Sequence, residues 1–280
     1  MLTDRGKMGF SSRILYICSL SMSTAWAVKP LIVNDLLYWR PFQANLQYVS
    51  RIRQDQSIHR KGIDFESSPG YRIGVGIEQS LKAWDMAFLW TRFYNRSTSS
   101  AHGELIVPWK SEPMARKASS VWRLQYDVVD IELGKQMRTL RPFMGIRAAR
   151  IAQHIRSHYV DVQGSLEDLD RRAKNRYSGI GPRVGVHLTF GKVEGWSLFA
   201  QGAVAMLWGS YAWKLRYVGD YTVDDQQMQY RVEGEAAMGV EWHRRHWTCG
   251  IAYEALQWWS GAFAGTLSLQ GGTLSACFHF

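Results

Sequence analysis

Charged side chains recur at every second position inside otherwise apolar stretches of this sequence. Arg72, Glu78, Asp85, Asp130, Glu132, Arg141, Arg147 and Arg183 do so first, and Arg231, Glu233, Glu235, Glu241 and Glu254 follow. Arginine grips a carboxylate through two parallel N–H···O bonds, so this set has the chemistry of an ion-pair network. An isolated charge is too costly to leave unpaired in a narrow interior, which favours a network over scattered single charges. Glu78 and Glu241 fall near segment ends, where plain solvation accounts for them equally well.

Hydrolytic chemistry is less well supplied. His154, His158, Asp161, Asp220, Asp224 and Asp225 could provide acid–histidine pairs, but they sit in polar stretches without diagnostic spacing. Ser275 and His279 share a phase four residues apart, too far along an extended strand for direct contact. No phosphate-binding glycine loop, dinucleotide motif or zinc spacing occurs, and Gly74-Val75-Gly76 reads as small residues relieving crowding on a curved wall. The expectation is a protein that is no enzyme and has no catalytic, cofactor-binding or metal-binding residues.

The elements that must position these charges follow a period of two, the signature of half-buried strands. Ten such segments are expected: 34–49, 70–79, 83–95, 119–134, 138–156, 177–191, 195–210, 227–243, 246–259 and 267–280. Long connections (50–69, 96–118, 157–176, 211–226 and 260–266) alternate with short ones (80–82, 135–137, 192–194 and 244–245). That alternation predicts an all-β fold, a transmembrane antiparallel up-and-down β-barrel of about ten strands, with eight or twelve also allowed. A sheet in hydrocarbon must close, because each edge N–H and C=O needs a partner. In the fourth segment, Trp122, Leu124 and Tyr126 lie on one phase and Val129, Ile131 and Leu133 on the other. A bulge near Asp127–Val129 would reconcile them.

Composition agrees with this pattern. The 280 residues include 34 basic and 24 acidic side chains, a net charge of +10, yet 46% are hydrophobic and 13 are Trp. Disorder is excluded by the apolar content, and three cysteines cannot staple a chain this long. Past residue 27 no run of eighteen apolar residues occurs, which excludes a helical membrane protein. Arg5, Lys7 and Arg13 precede an apolar stretch ending in Ala25-Trp26-Ala27, so residues 1–27 read as a signal peptide and residues 28–280 as the barrel. Export makes nucleic acid an unsuitable partner for the positive charge. Part of that charge, at Lys82, Lys135, Arg138, Lys192, Arg244 and Arg245, falls at short turns, where contact with anionic lipid headgroups or cell-wall polymers is one reading and ordinary turn solubility the simpler one.

Aromatic residues gather near segment ends. Trp84, Trp90, Tyr94, Trp122, Tyr177, Trp196, Trp208, Trp242, Trp247, Trp258 and Trp259 are expected to form two interfacial girdles. Cys249 and Cys277 fall on neighbouring strands but on opposite phases, so no bridge between them is expected. The chain ends with Leu274, Ala276, Phe278 and Phe280 on one face. A terminal amphipathic strand ending on Phe280 suits recognition by the outer-membrane insertion machinery.

Several short motifs resemble one family. Leu37-Tyr38-Trp39-Arg40-Pro41 resembles the first strand of the pore-forming outer-membrane proteins of Legionella and chlamydia-like bacteria. Pro69-Gly70-Tyr71-Arg72-Ile73-Gly74, Trp84-Asp85 and Trp90-Thr91-Arg92-Phe93 are similar to its second and third strands. Residues 126–134 and 140–147 resemble its central block. Gly179-Ile180-Gly181-Pro182-Arg183, residues 267–271 and Thr273-Leu274-Ser275-Ala276 complete the match. The departure is Cys277 with His279, where charged residues are expected; it bears on the lumen chemistry of the last strand. The resemblance implies a barrel in the bacterial outer membrane and a porin-like role, a narrow pore for small solutes or ions. The pore-lining set expected is Arg72, Asp85, Asp130, Glu132, Arg141, Arg147, Arg183, Arg231, Glu233 and Glu235. The alternative is a surface adhesin or structural barrel acting through its long outer loops. Partners expected are outer-membrane lipids, the insertion machinery and small solutes or ions, and a homo-oligomer is among the assemblies allowed.

Overall fold

A computed structural model describes residues 28–44, 46–52, 58–79, 84–107, 114–162, 168–217, 222–260 and 265–280. The strands are β1 (Val28–Gln43), β2 (Gln47–Ile52), β3 (Ile58–Gly62), β4 (Ser68–Gln79), β5 (Trp84–Ile106) and β6 (Met114–Lys135), then β7 (Leu140–Val160), β8 (Leu169–Val193), β9 (Trp196–Tyr217), β10 (Thr222–Arg244), β11 (Trp247–Ser260) and β12 (Leu267–His279). All neighbours pair antiparallel. β1 bonds to both β4 and β12, and the β5–β6 ladder closes the ring. Ten strands therefore form the barrel, and the β2–β3 hairpin is an addition pairing with the far end of β5. Residues 1–27, expected to be a signal peptide, and the turn carrying Lys82 lie outside the described residues.

The outer wall explains the register. Outward-facing apolar residues, including Val75, Met86, Ile131, Ile146, Ile180, Val204, Met238, Ile251 and Leu274, are exposed and form one continuous band around the barrel. Water would penalise so wide an apolar belt, whereas lipid matches it. Trp84, Tyr94, Trp196, Trp208, Trp247 and Trp259 are exposed at its margins. At the short-turn end, Glu194 (φ 48°) and Gly195 (φ 89°) join β8 to β9. Two successive positive φ angles fit the tight two-residue turn that matches strand twist, and glycine takes the second without steric cost.

Three expectations need correction. Most of the long connections are strand: 96–106, 114–118, 157–160, 169–176, 211–217 and 222–226 extend the ladders far beyond the apolar band. Outside lipid the outward positions become polar, so hydropathy alternation fades although pairing continues. The first segment divides, with β1 starting at Val28 and β2 a separate short strand. No bulge interrupts β6 at Asp127–Val129: its pairing with β5 and β7 runs in unbroken register from Tyr126 to Asp130. Trp122, Leu124, Tyr126, Val128, Asp130 and Glu132 all face inward, and only the chemistry of the inward face changes along the strand.

Candidate functional site

The interior has two layers. Toward the short-turn end, Arg147 on β7 is 4% exposed and sits among three acids. Its Nε and Nη2 donate to the Asp130 carboxylate, each at 2.6 Å, and its Nη1 donates to Glu233 at 2.5 Å and to Glu235. Arg183 on β8 donates to Glu132 and, at 2.5 Å, to Glu235, so Glu235 bridges the two arginines. Arg141 grips Asp85 through two nitrogens and lies 3.9 Å from Glu132. Across the barrel, Arg72 on β4 donates to Asp35 at 2.9 Å and grips Glu254 at 3.0 and 3.1 Å.

Local sequence makes room for these large side chains. Arg147 stands directly opposite Gly181, and Arg183 directly opposite Gly145. A Cβ at Gly181 would meet the Met206 carbonyl, and one at Gly145 the Ile131 carbonyl. The motifs Gly145-Ile146-Arg147 and Gly181-Pro182-Arg183 thus place each guanidinium beside a residue without a side chain. Toward the short-turn mouth, these groups line a cavity of about 970 Å³ that also reaches Glu78, His187, Glu241 and His279.

The second layer, toward the long-connection end, is built around aromatic rings. Rings from different strands meet across the lumen: Phe93 with Trp39 at 5.8 Å, Trp39 with Tyr126 at 6.5 Å, Tyr126 with Trp258 at 6.2 Å, and Trp258 with Tyr177 at 6.4 Å. Phe65, from the segment after β3, packs edge-on against Trp122 at 4.9 Å. Inward polar residues of β5 hold that segment: Asn95 donates to the Glu66 carbonyl, and Ser99 accepts from the Asp64 N–H. The Tyr159 hydroxyl donates to the Tyr48 carbonyl at 2.6 Å and tethers β2, and burial pushes the Tyr159 phenol up to about 12. Tyr126 joins the layers by donating to Glu233 at 3.2 Å.

This arrangement revises the girdle expectation. Trp122, Tyr177 and Trp258 are buried inside the barrel rather than placed at its lipid surface. All ten residues of the expected lining set face the interior, and nine of them join the ion pairs described above. Arg231 does not. Its guanidinium lies 4.5 Å from the Tyr177 ring centroid and 4.9 Å from that of Tyr211, with Nε and Nη2 buried and unbonded among the described residues. Asp35 is the network member that sequence reasoning missed. It lies in Leu31-Ile32-Val33-Asn34-Asp35-Leu36-Leu37-Tyr38-Trp39, where both faces are apolar and neither phase stands out.

The hydrolytic candidates do not converge in the lumen. His158 bonds Asp170 at 2.8 Å on the outward face, where Arg156 and Arg172 also donate to that carboxylate. Burial alone would raise Asp170; the bonds from His158 and Arg156 outweigh it and hold the carboxyl below its ordinary value. Asp220 lies outside the described residues. His279 bonds Thr248 and approaches Glu78, not Ser275. Cys249 and Cys277 are free; Cys277 stands opposite Thr248 and Cys249 opposite Ala276.

No curated protein matches the chain. Among solved structures it is similar to the outer membrane protease OmpT from Escherichia coli, with a TM-score of 0.51 and 6% identity over 92% of this chain and 99% of that one. It is also similar to Ail, the attachment invasion locus protein of Yersinia pestis, with a TM-score of 0.30 and 9% identity over 90% and 98% of the two chains. At such identities the likeness to OmpT speaks for the barrel fold alone. The family described as Legionella pneumophila major outer membrane protein precursor matches residues 22–266. The chain therefore belongs to the Legionella major outer membrane protein family and is a β-barrel of the bacterial outer membrane.

Proposed function

We propose that this barrel is a narrow, normally closed pore that passes small cations between the periplasm and the outside. The observation that carries this reading is the layer of buried arginines and acids at the head of the cavity that opens toward the short turns. Apolar packing would fill the same space at lower desolvation cost, and buried ion pairs are often neutral or worse for stability than hydrophobic replacements. Paired charges can exchange partners, and Glu235, shared by Arg147 and Arg183, is already placed to do so. Asp35, Asp85, Asp130, Glu132, Glu233, Glu235 and Glu254 outnumber Arg72, Arg141, Arg147 and Arg183, and an acidic lining favours cations.

The aromatic layer favours a second reading, a closed structural barrel working through its outer surface. Single-channel recording in planar bilayers separates the two. Brief cation-selective openings that lose selectivity in Glu233→Gln/Glu235→Gln support the pore. Silence over a wide voltage range supports the structural barrel. We also read the chain as non-enzymatic, because the Asp170 carboxylate beside His158 is occupied by two arginines. Peptide or lipid hydrolysis lost in His158→Ala would overturn that view. The leader proposal predicts that protein recovered from outer membranes begins at Val28, which terminal sequencing tests.

A further inference from the structure

The outward wall beyond the apolar band carries cations in an arrangement that solubility does not require. One cross-strand row runs Arg96, Arg123, His154, Lys174, Lys214 and Asp224, each directly opposite the next. In the next row outward, Arg156 stands opposite Arg172, and Arg172 opposite Arg216. Nearer the lipid band lie Arg92, Arg150 and Arg176, and all of these arginines and lysines are exposed. Like charges set directly opposite on one sheet face destabilise it, and a surface built only to stay in solution would intersperse the signs. Three acids lie in or beside these rows: Asp127 pairs with Arg92, Asp170 with Arg156 and Arg172, and Asp224 with Lys214. Among the described residues no carboxylate pairs with Arg96, Arg123, Arg150, Lys174 or Arg176.

Position narrows the ligand. Arg92 is two residues beyond the lipid-facing Trp90, Arg150 four beyond Ile146, and Arg176 four before Ile180. The strands bearing them leave the membrane at the long-connection end, which faces outward in outer-membrane barrels. Tyr94, Arg123, Lys174, Arg176 and Lys214 border a groove of about 470 Å³ on this wall, with Asp224, the partner of Lys214, as the one acid on its lining among the described residues. Burial, then the charges of Lys174 and Arg123, hold the His154 imidazole below its ordinary value.

We propose that this wall binds the phosphate groups of an anionic lipid in the outer leaflet, with Arg123, Lys174 and Lys214 as the central contacts. The lipid's acyl chains would lie along the apolar band directly below, so one molecule satisfies both surfaces. The site does not depend on whether the lumen conducts.

The test uses the full folded barrel in a zwitterionic detergent, titrated with diphosphoryl lipid A. Binding to wild type should weaken on the order of 100-fold in Arg123→Gln/Lys174→Gln/Lys214→Gln, as expected for three cations lost at an anionic lipid surface. Arg123→Lys/Lys174→Arg/Lys214→Arg should retain affinity. Heat-modifiable gel mobility verifies that each variant is folded, and Lys174→Gln alone should show a smaller loss in the same direction. Equal binding of dephosphorylated lipid, or unchanged affinity in the triple glutamine variant, would overturn the proposal. So would displacement by equimolar inorganic phosphate, which identifies a free-phosphate site. Tighter, residue-dependent binding of sucrose octasulfate would likewise overturn it in favour of a sulfated glycan.

Discussion

The two interior layers are built on the same strands and obey opposite rules. On β6, Asp130 and Glu132 enter the charged layer, while Trp122, Leu124 and Tyr126 enter the aromatic one, all on one uninterrupted face. The charged layer needs every partner present, because a buried ion without its counter-ion keeps its desolvation cost and loses the compensation. The aromatic layer needs only volume and shape, since ring contacts are individually small and sum over many atoms. One layer is therefore sensitive to a single charge and tolerant of concerted replacement, and the other is sensitive to size. Arg231 belongs to neither pattern: it is a cation between two tyrosine rings in the aromatic half.

The sharpest break in this contrast is Arg147→Met, which strands Asp130 and Glu233 and leaves Glu235 to Arg183 alone. It should cost about 3–5 kcal/mol in urea unfolding followed by gel mobility, whereas a variant that also changes Asp130 and Glu233 to apolar residues, keeping Glu235 for Arg183, should recover most of the loss. If the concerted variant is no better than the single one, the charged layer is not governed by pairing. Trp122→Ala should cost about 3–4 kcal/mol by the same assay, and Trp122→Phe much less, because there the loss follows volume. If the lumen is a pore, Trp122→Ala should also raise its conductance. Arg231→Met should change stability by only about 1 kcal/mol, since it removes a cation–π contact and unbonded donors together. A loss as large as that of Arg147→Met would show that Arg231 has an ionic partner.

The smallest effect lies outside both layers. Asp170 has its carboxyl held low in the folded barrel, so it binds fewer protons there than in the unfolded chain. Its stabilisation is fully present above the ordinary carboxylate value and disappears as pH falls through the lowered one. Because the group is partly exposed and screened, Asp170→Asn should cost under about 1 kcal/mol at neutral pH and nothing measurable in strong acid. A wild-type-minus-variant difference that grows as pH falls through the carboxylate range would reverse the sign of this linkage.

Much of this was legible along the chain. Alternation located the membrane-spanning part of nearly every strand, because lipid on one side and a lumen on the other force a period of two. The same alternation picked out most of the charged layer, including Arg147, Arg183 and Glu235. It failed where the environment outside lipid no longer demands an apolar outward face. There the strands 96–106 and 169–176 read as loops, and Trp122 and Trp258 read as interfacial girdle. It also failed at Asp35, whose neighbours are apolar on both faces.

By itself the order of residues determined that the chain closes into a barrel in a membrane, that about ten strands do so, and which phase of most of them carries charge. Those properties follow from local period and from the need to pair every backbone group in hydrocarbon. Which charges meet, and what fills the other half of the lumen, came from closure. Arg72 and Glu254 are far apart in sequence and on strands separated by β1 and β12, and they touch only because the ring brings their inward faces together. Phe93, Trp39, Tyr126, Trp258 and Tyr177 come from five strands and become one core for the same reason: a narrow closed sheet leaves its inward side chains no solvent to face but one another.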